Sequence, residues 1–367
     1  MRLTILTFFC LISAVMTFAQ KSSKEILYVG TYTQKGEGIY VYELDRKDFS
    51  IKELQVLTSK TSPSFLEFHP NKKYLYAANE GNNTVSSFSI DQSTGKMTSV
   101  NAKSSLGKGP CHVAVDPKGR FLYVSNYGSG QLGVYLLNAD GTIGAAADSI
   151  QDKGAAGQKP HMHSVIPSAD GKFIYASDLG IDKILIYAVD QKTGKLTPGS
   201  VPYAEVKAGD GPRHFAIHPN GNFGYSACEL GSVVNSFKIV KNSGALVPME
   251  RVTMLPGDFT GKSYAADIHF SPDGKFLYAS NRGHESLAIY AVDAQTGKLT
   301  VAGHADTHGK HPRNFLIDQK GDFSIVTNRD NDNVVFFTRD AKTGQLTYTG
   351  KEISVPTPVC VKQLFLN

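Results

Sequence analysis

Tryptophan is absent from this 367-residue chain, and cysteine occurs only four times. Cys10 lies in an N-terminal apolar run. That leaves Cys111, Cys228 and Cys360, an odd and widely spaced set that does not form a disulfide framework. A chain of this length buries enough core to do without one. A surplus of one charge is missing too. The 38 basic and 33 acidic residues leave +5, spread evenly, which argues against a nucleic-acid groove. Beyond the N-terminus no stretch is long and apolar enough to span a bilayer. There is also no G-x-S-x-G elbow to present a serine nucleophile.

The first segment reads as a processing signal. Arg2 supplies a short positive start, Leu3 to Phe18 an apolar run, and Thr17 and Ala19 small residues at −3 and −1 of a cut before Gln20. Residues 1–19 are thus expected to be a cleaved signal peptide and 20–367 one mature domain, exported to the periplasm or secreted. Across the whole chain, 35 glycines and 37 tyrosines plus phenylalanines favour an all-β protein with many tight turns over a helical one.

An internal repeat organises the mature chain. HPNKKYLYAANEGNN from His69, DPKGRFLYVSNYGSG from Asp116 and SADGKFIYASDLGID from Ser168 share one pattern with HPNGNFGYSACELGS from His218, SPDGKFLYASNRGHE from Ser271 and DQKGDFSIVTNRDND from Asp318. A seventh core, ILYVGTYTQ, starts at Ile26. The markers Tyr28, Tyr76, Tyr123, Tyr175, Tyr225, Tyr278 and Ile325 stand 48, 47, 52, 50, 53 and 47 residues apart. Each unit reads as four strands. A Pro/Asp/Asn-Gly turn leads into the aromatic strand, and the turns STGKMT, KTGKLT, QTGKLT and KTGQLT precede the last one. These triplets lack the upstream glycine of a phosphate loop and are turns. Four-stranded units at this period predict a seven-bladed β-propeller. The chain starts on a second strand and ends on Pro358–Gln363, which reads as the missing first strand. The last segment should therefore close the ring and hide two sheet edges.

Equivalent positions point at one face. Six residues before each turn proline, or its equivalent, stand Ser64, Cys111, His163, Arg213, Ala266 and Arg313; four past each marker stand Glu80, Tyr127, Leu179, Glu229, Arg282 and Arg329. The first set opens the innermost strand and the second closes its antiparallel neighbour, so both should meet at the channel mouth. Three consecutive units contribute His163, Arg213, Glu229 and Arg282. Arginines can hold an anion or a developing oxyanion, and a histidine or glutamate among them can move protons. Salt bridging of Glu229 by the arginines is the bland alternative. His161 and His163 form an H-x-H without an acidic or cysteine partner beside it, and no metal is expected. His69 and His218 are expected to be turn residues. His112 and His214, one place beyond the first set, are expected to hydrogen-bond the backbone, with a smaller chance of lining the pocket.

PHMHSV, DLGIDKILIY, GPRHFAIHPNG, SACELGS, SPDGKFLYASNRGHESLAIY and HPRNF resemble the lactonase family of seven-bladed propellers. That family includes propeller-type 6-phosphogluconolactonase and a fungal enzyme that lactonises 3-carboxy-cis,cis-muconate. The resemblance covers nearly the whole mature chain. It implies catalytic roles for His163, Arg213, Glu229 and Arg282, and hydrolysis of a lactone bearing an anionic group, without cofactor. Arg213 and Arg282 would hold the anion and polarise the carbonyl, while Glu229 or His163 activates water. His161, Glu80, His214, Arg313 and Arg329 are the expected substrate contacts. The expected partner is a small-molecule lactone, with no nucleic acid and no membrane, and the protein is expected to be a monomer. Export fits poorly with a cytoplasmic sugar phosphate, so an unphosphorylated aldonolactone also stands. The alternatives are a muconate-type lactonising cycloisomerase, or a non-catalytic exported propeller that binds a glycan or a partner protein.

Overall fold

The computed structural model describes residues 24–366. The expected signal segment, residues 1–19, lies outside the described residues. Seven four-stranded antiparallel sheets make up the fold, with two three-residue 3-10 turns at Leu179–Ile181 and Arg329–Asn331. In six sheets the strands follow chain order. The exception is the first blade, where Pro358–Leu366 pairs with Lys24–Thr31, followed by Gly38–Asp45 and Ser50–Thr58. The pairing runs from Lys24 opposite Leu366 to Thr31 opposite Pro358. The C-terminal strand closes the ring, as the position of the two chain ends requires.

The repeated sequence features explain how the blades pack. The marker tyrosines Tyr28, Tyr76, Tyr123, Tyr175, Tyr225 and Tyr278 are wholly buried. Four of them reach into the next blade. Tyr28 donates to Gly95 O, Tyr76 to Gly141 O, Tyr225 to Gly297 O and Tyr278 to Gly344 O, at 2.7, 3.2, 2.7 and 2.7 Å. Each acceptor is the glycine of a hairpin turn. Gly297 shows why glycine is needed: its φ is +73°, and a Cβ there would stand 2.5 Å from the Phe223 ring of the preceding blade. His69 and His218 are turn residues with a similar interblade role, their Nε2 atoms lying 3.0 and 3.1 Å from Gly119 O and Gly274 O. The cysteines Cys111, Cys228 and Cys360 are free and buried.

The innermost strands line the axis. Those of blades two to seven are Pro63–Phe68, Pro110–Val115, Met162–Pro167, Pro212–Ile217, Tyr264–Phe270 and Pro312–Ile317. Near the start of each, the register against its neighbour shifts: at Pro63/Phe65, Pro110/His112, Met162/Ser164, Pro212/His214, Ala265/Ile268 and Pro312/Asn314. Such a bulge re-aims the side chain it contains. The bulged residue is Ser64, Cys111, His163, Arg213 or Arg313, and in blade six Ala266 falls within it. The six positions counted from the sequence therefore occupy a backbone irregularity at the channel mouth.

Candidate active site

Ser64, Cys111, Arg213 and Arg313 from the bulges, and Val359 from the matching shift in the closing strand, where Gly30 faces Cys360 and Thr31 faces Pro358, line one axial cavity of about 10 Å³ together with Phe65, His214 and Asn314. That is room for about one water molecule. The second set of positions stands at the exits of the neighbouring antiparallel strands, at the same end of the blades. Glu229 joins the two sets. Its Oε2 lies 2.9 Å from Arg213 Nε and 2.9 Å from Arg282 Nη2. The Arg213 Nε–H is buried and not aligned on the oxygen, so that contact is an ion pair without a formed hydrogen bond. Arg213 also donates through Nη1 to Ala266 O, and Arg282 through Nε to Tyr264 O at 3.3 Å and through Nη2 to Ala265 O at 2.6 Å. Both guanidiniums are thus fastened to the inner strand of blade six. The salt bridging weighed from the sequence is present.

The field at the mouth follows from these positions. Burial pushes the Glu229 carboxyl up, but Arg213 and Arg282 outweigh it, and the group sits below its ordinary range. Arg213, 1% exposed, is pushed down to about 9 by burial and by Arg282 and Arg313, and is still a cation at neutral pH. Burial and the same arginines hold His163 well below the usual imidazole range, so it is neutral. Its Nδ1 is buried without a partner. The His163 ring lies 5.5 Å from Tyr127 and 5.3 Å from His214. His161 stacks on Tyr127 at 4.4 Å, with Nδ1 2.9 Å from Tyr127 O.

Opposite this centre, Glu80 accepts a hydrogen bond from the Tyr32 hydroxyl at 3.0 Å, and the Arg313 guanidinium lies over the Tyr32 ring at 5.3 Å. Among the described residues Arg313 has no hydrogen-bond acceptor and no carboxylate partner, unlike Arg213 and Arg282. Arg329 turns away to Asp330, with Nε 2.6 Å from its carboxylate.

His214 and His112 correct an expectation, because neither bonds the backbone. His214 Nδ1 lies 2.6 Å from Asp267 Oδ1, and His112 stacks on Phe65 at 4.1 Å with its Nδ1 unpartnered. Asp267 also holds His269 Nε2 at 2.8 Å and the Asn314 side-chain amide. The rings of Phe65, His112, His163 and His214 fill the channel below the mouth. Farther along the strands lies a cavity of about 400 Å³ whose walls include Glu67, Ile166, His269, Phe270 and Lys362.

Residues 26–363 match the family described as Lactonase, 7-bladed beta-propeller. The chain belongs to the lactonase family. Among its relatives are the 6-phosphogluconolactonase of Bacillus subtilis strain 168, 35% identical over 350 residues (93% of this chain and 99% of the relative), and that of Formosa agariphila, 34% identical over 310 residues (80% and 87%). The solved structure of the Pseudomonas aeruginosa periplasmic gluconolactonase PpgL superposes with a TM-score of 0.89 at 30% identity, covering 94% of this chain and all of the other. This lactonase is a lactone hydrolase by class. Sequence counting missed Tyr32 in its mouth, although Tyr32 stands four past Tyr28 as Glu80 stands four past Tyr76. It also missed Val359, whose strand comes from the far end of the chain, and the Asp267 that anchors His214.

Proposed function

We propose that this lactonase hydrolyses a sugar lactone at the channel mouth, with Glu229 as the base that activates water. The observation that carries the reading is the division of labour within Glu229. Oε2 is held by two arginines, while Oε1 has no hydrogen bond among the described residues and the side chain is 20% exposed. An ionised, oriented carboxylate with one free oxygen suits proton abstraction from water. As the water oxygen attacks the lactone carbonyl carbon, its proton passes to Glu229 Oε1. The carbonyl oxygen becomes an oxyanion facing the Arg213 and Arg282 guanidiniums, fixed in advance by the carbonyls of Tyr264, Ala265 and Ala266. When the ring C–O bond breaks, the proton returns from Glu229 to the departing oxygen. His163, kept neutral, donates an N–H to that oxygen without becoming charged.

This arrangement reassigns one role expected from the sequence. Arg213 and Arg282 are tied to Glu229 and to the backbone, so the substrate's anionic group, phosphate or carboxylate, goes to Arg313. Arg313 keeps its charge beside Glu80 and Glu229, and its guanidinium N–H groups, unlike those of Arg213 and Arg282, meet no acceptor among the described residues, so they are open to an anion. The 6-phosphogluconolactonases and the periplasmic gluconolactonase among its relatives support a gluconolactone-type substrate. With the leader-like first 19 residues, the latter also supports action outside the cytoplasm.

The test is acid release from glucono-δ-lactone and its 6-phosphate, corrected for spontaneous hydrolysis. Glu229→Gln should lower kcat by about 100-fold or more, with no inflection in the wild-type kcat/KM profile near pH 6.5. A Glu229→Gln rate within threefold of wild type would refute the assignment. Absence of any wild-type rate on these lactones and on a muconate would favour a binding protein.

A further inference from the structure

The inner strands carry polar side chains at their other end too. Alternate residues of a strand share a face, so the residue two places beyond Phe65, His112, His214 or Asp267 points the same way as they do. The matching places in six of the seven inner strands hold Glu67, Ala114, Ile166, Ala216, His269 and Lys362, and all of them line the cavity of about 400 Å³. Glu67 and Ala216 stand three residues past Ser64 and Arg213, about 10 Å along their strands from the mouth. Phe65 and His214 line both cavities and stand between them. The far cavity is thus separate from the groups proposed to react. Its wall is divided. Blades three to five give Ala114, Ile166 and Ala216, and the two alanines leave the room. Blades six, one and two give His269, Lys362 and Glu67, whose side chains are 37%, 20% and 31% exposed, so the cavity opens to solvent.

The polar half offers donors and acceptors together. Lys362 Nζ donates to Glu67 Oε2 at 2.8 Å and lies over the Phe65 ring at 5.1 Å, and its remaining N–H groups have no acceptor among the described residues. The Asp267 carboxylate takes the His269 Nε2–H at 2.8 Å, which leaves His269 Nδ1 as an acceptor with no partner among the described residues. Glu67 Oε2 is a further acceptor. Glu67 and Lys362 cancel each other's charge, so a simple anion or cation gains little here. A neutral ligand with adjacent hydroxyls gains more. One hydroxyl accepts from Lys362 while its neighbours donate to Glu67 and His269, and the ion pair stays intact. The opposite wall suits C–H groups. A pyranose carries hydroxyls around its edge and C–H groups on its faces, and the cavity is of the size that small-molecule sites have. We propose that the far end of the axial channel is a second binding site, for a neutral monosaccharide. It is independent of the mouth and stands whether or not the mouth hydrolyses lactones.

The experiment is a saturation-transfer NMR titration of the full chain with the methyl pyranosides of glucose, galactose, mannose and xylose, and with sodium gluconate alongside. At least one glycoside should bind saturably, with Kd on the order of 1 mM. Ala216→Leu fills the apolar half of the cavity and Lys362→Met removes its donors. Each should weaken that binding by about tenfold or more. Arg313→Gln, at the mouth, should bind the glycoside as the wild type does. Circular dichroism checks the fold of each variant, and if one cavity variant does not fold the other carries the comparison. Saturable binding of none of the glycosides would overturn the proposal. So would binding that Arg313→Gln loses and the cavity variants keep, which would place the sugar at the mouth. Gluconate bound more tightly than every glycoside would also overturn it, by marking an anion site.

Discussion

Replacing Asp178 with asparagine should stabilise this protein at neutral pH and leave it nearly unchanged in acid. The corresponding second-strand residue is asparagine in four other blades. In three of these its amide donates to the backbone of the segment that precedes the blade: Asn126 to Ser105 O, Asn281 to Met254 O and Asn328 to Thr307 O, at 2.9, 2.8 and 2.9 Å. Asp178 has no such N–H. Its Oδ1 accepts from the His161 and Gly180 amides at 2.7 and 3.0 Å, but its Oδ2 is buried without a partner. Burial first, and then Asp152, raise its pKa from 3.8 to about 6. The folded state therefore binds the proton more tightly than the unfolded state. The resulting stabilisation is complete below pH 4 and is lost as the pH rises through about 6. The shift corresponds to about 2–3 kcal/mol. Asparagine supplies the missing donor and carries no charge to desolvate. Urea unfolding of both proteins at pH 4 and pH 8 should show a gain for Asp178→Asn of about 2–3 kcal/mol at pH 8 and close to none at pH 4. An equal gain at both pH values, or a loss at pH 8, would refute the reasoning.

Two further predictions concern the mouth and the ring. Arg313→Gln should raise KM for 6-phosphogluconolactone at least tenfold and affect unphosphorylated gluconolactone much less; equal effects on both would remove Arg313 as the anion receptor. Ending the chain at Ser354 should abolish cooperative unfolding in circular dichroism. The lost strand buries Val359, Val361, Leu364 and Leu366, about 1.5–3 kcal/mol each and together comparable to the whole stability of a domain. A truncated protein that melts as sharply as the full chain would show that closure is dispensable.

Much of the mouth was legible because the repeat converts sequence position into spatial position. Counting from turn prolines and marker aromatics selected Arg213, Glu229 and Arg282, and these meet in two ion pairs at 2.9 Å. The same counting could not see that one count lands on a bulge, since a register shift is a property of two strands together. Nor could it tell that Arg213 and Arg282 are already engaged while Arg313, stacked over Tyr32, has no hydrogen-bond acceptor among the described residues. All three are arginines at matching places. Their partners come from carbonyls and carboxylates in neighbouring blades. Tyr32 and Val359 escaped because the first blade is assembled from both ends of the chain.

The sequence by itself determined the number of blades, the order of their strands and the closure of the ring. Those depend on local matters: alternation, turn chemistry and a period of about fifty residues. It also determined which residue types could reach the axis. Only the tertiary structure decided how the charges there are shared. A guanidinium's role depends on which acceptors lie within about 3 Å of it, and those acceptors are set by how one blade packs against the next.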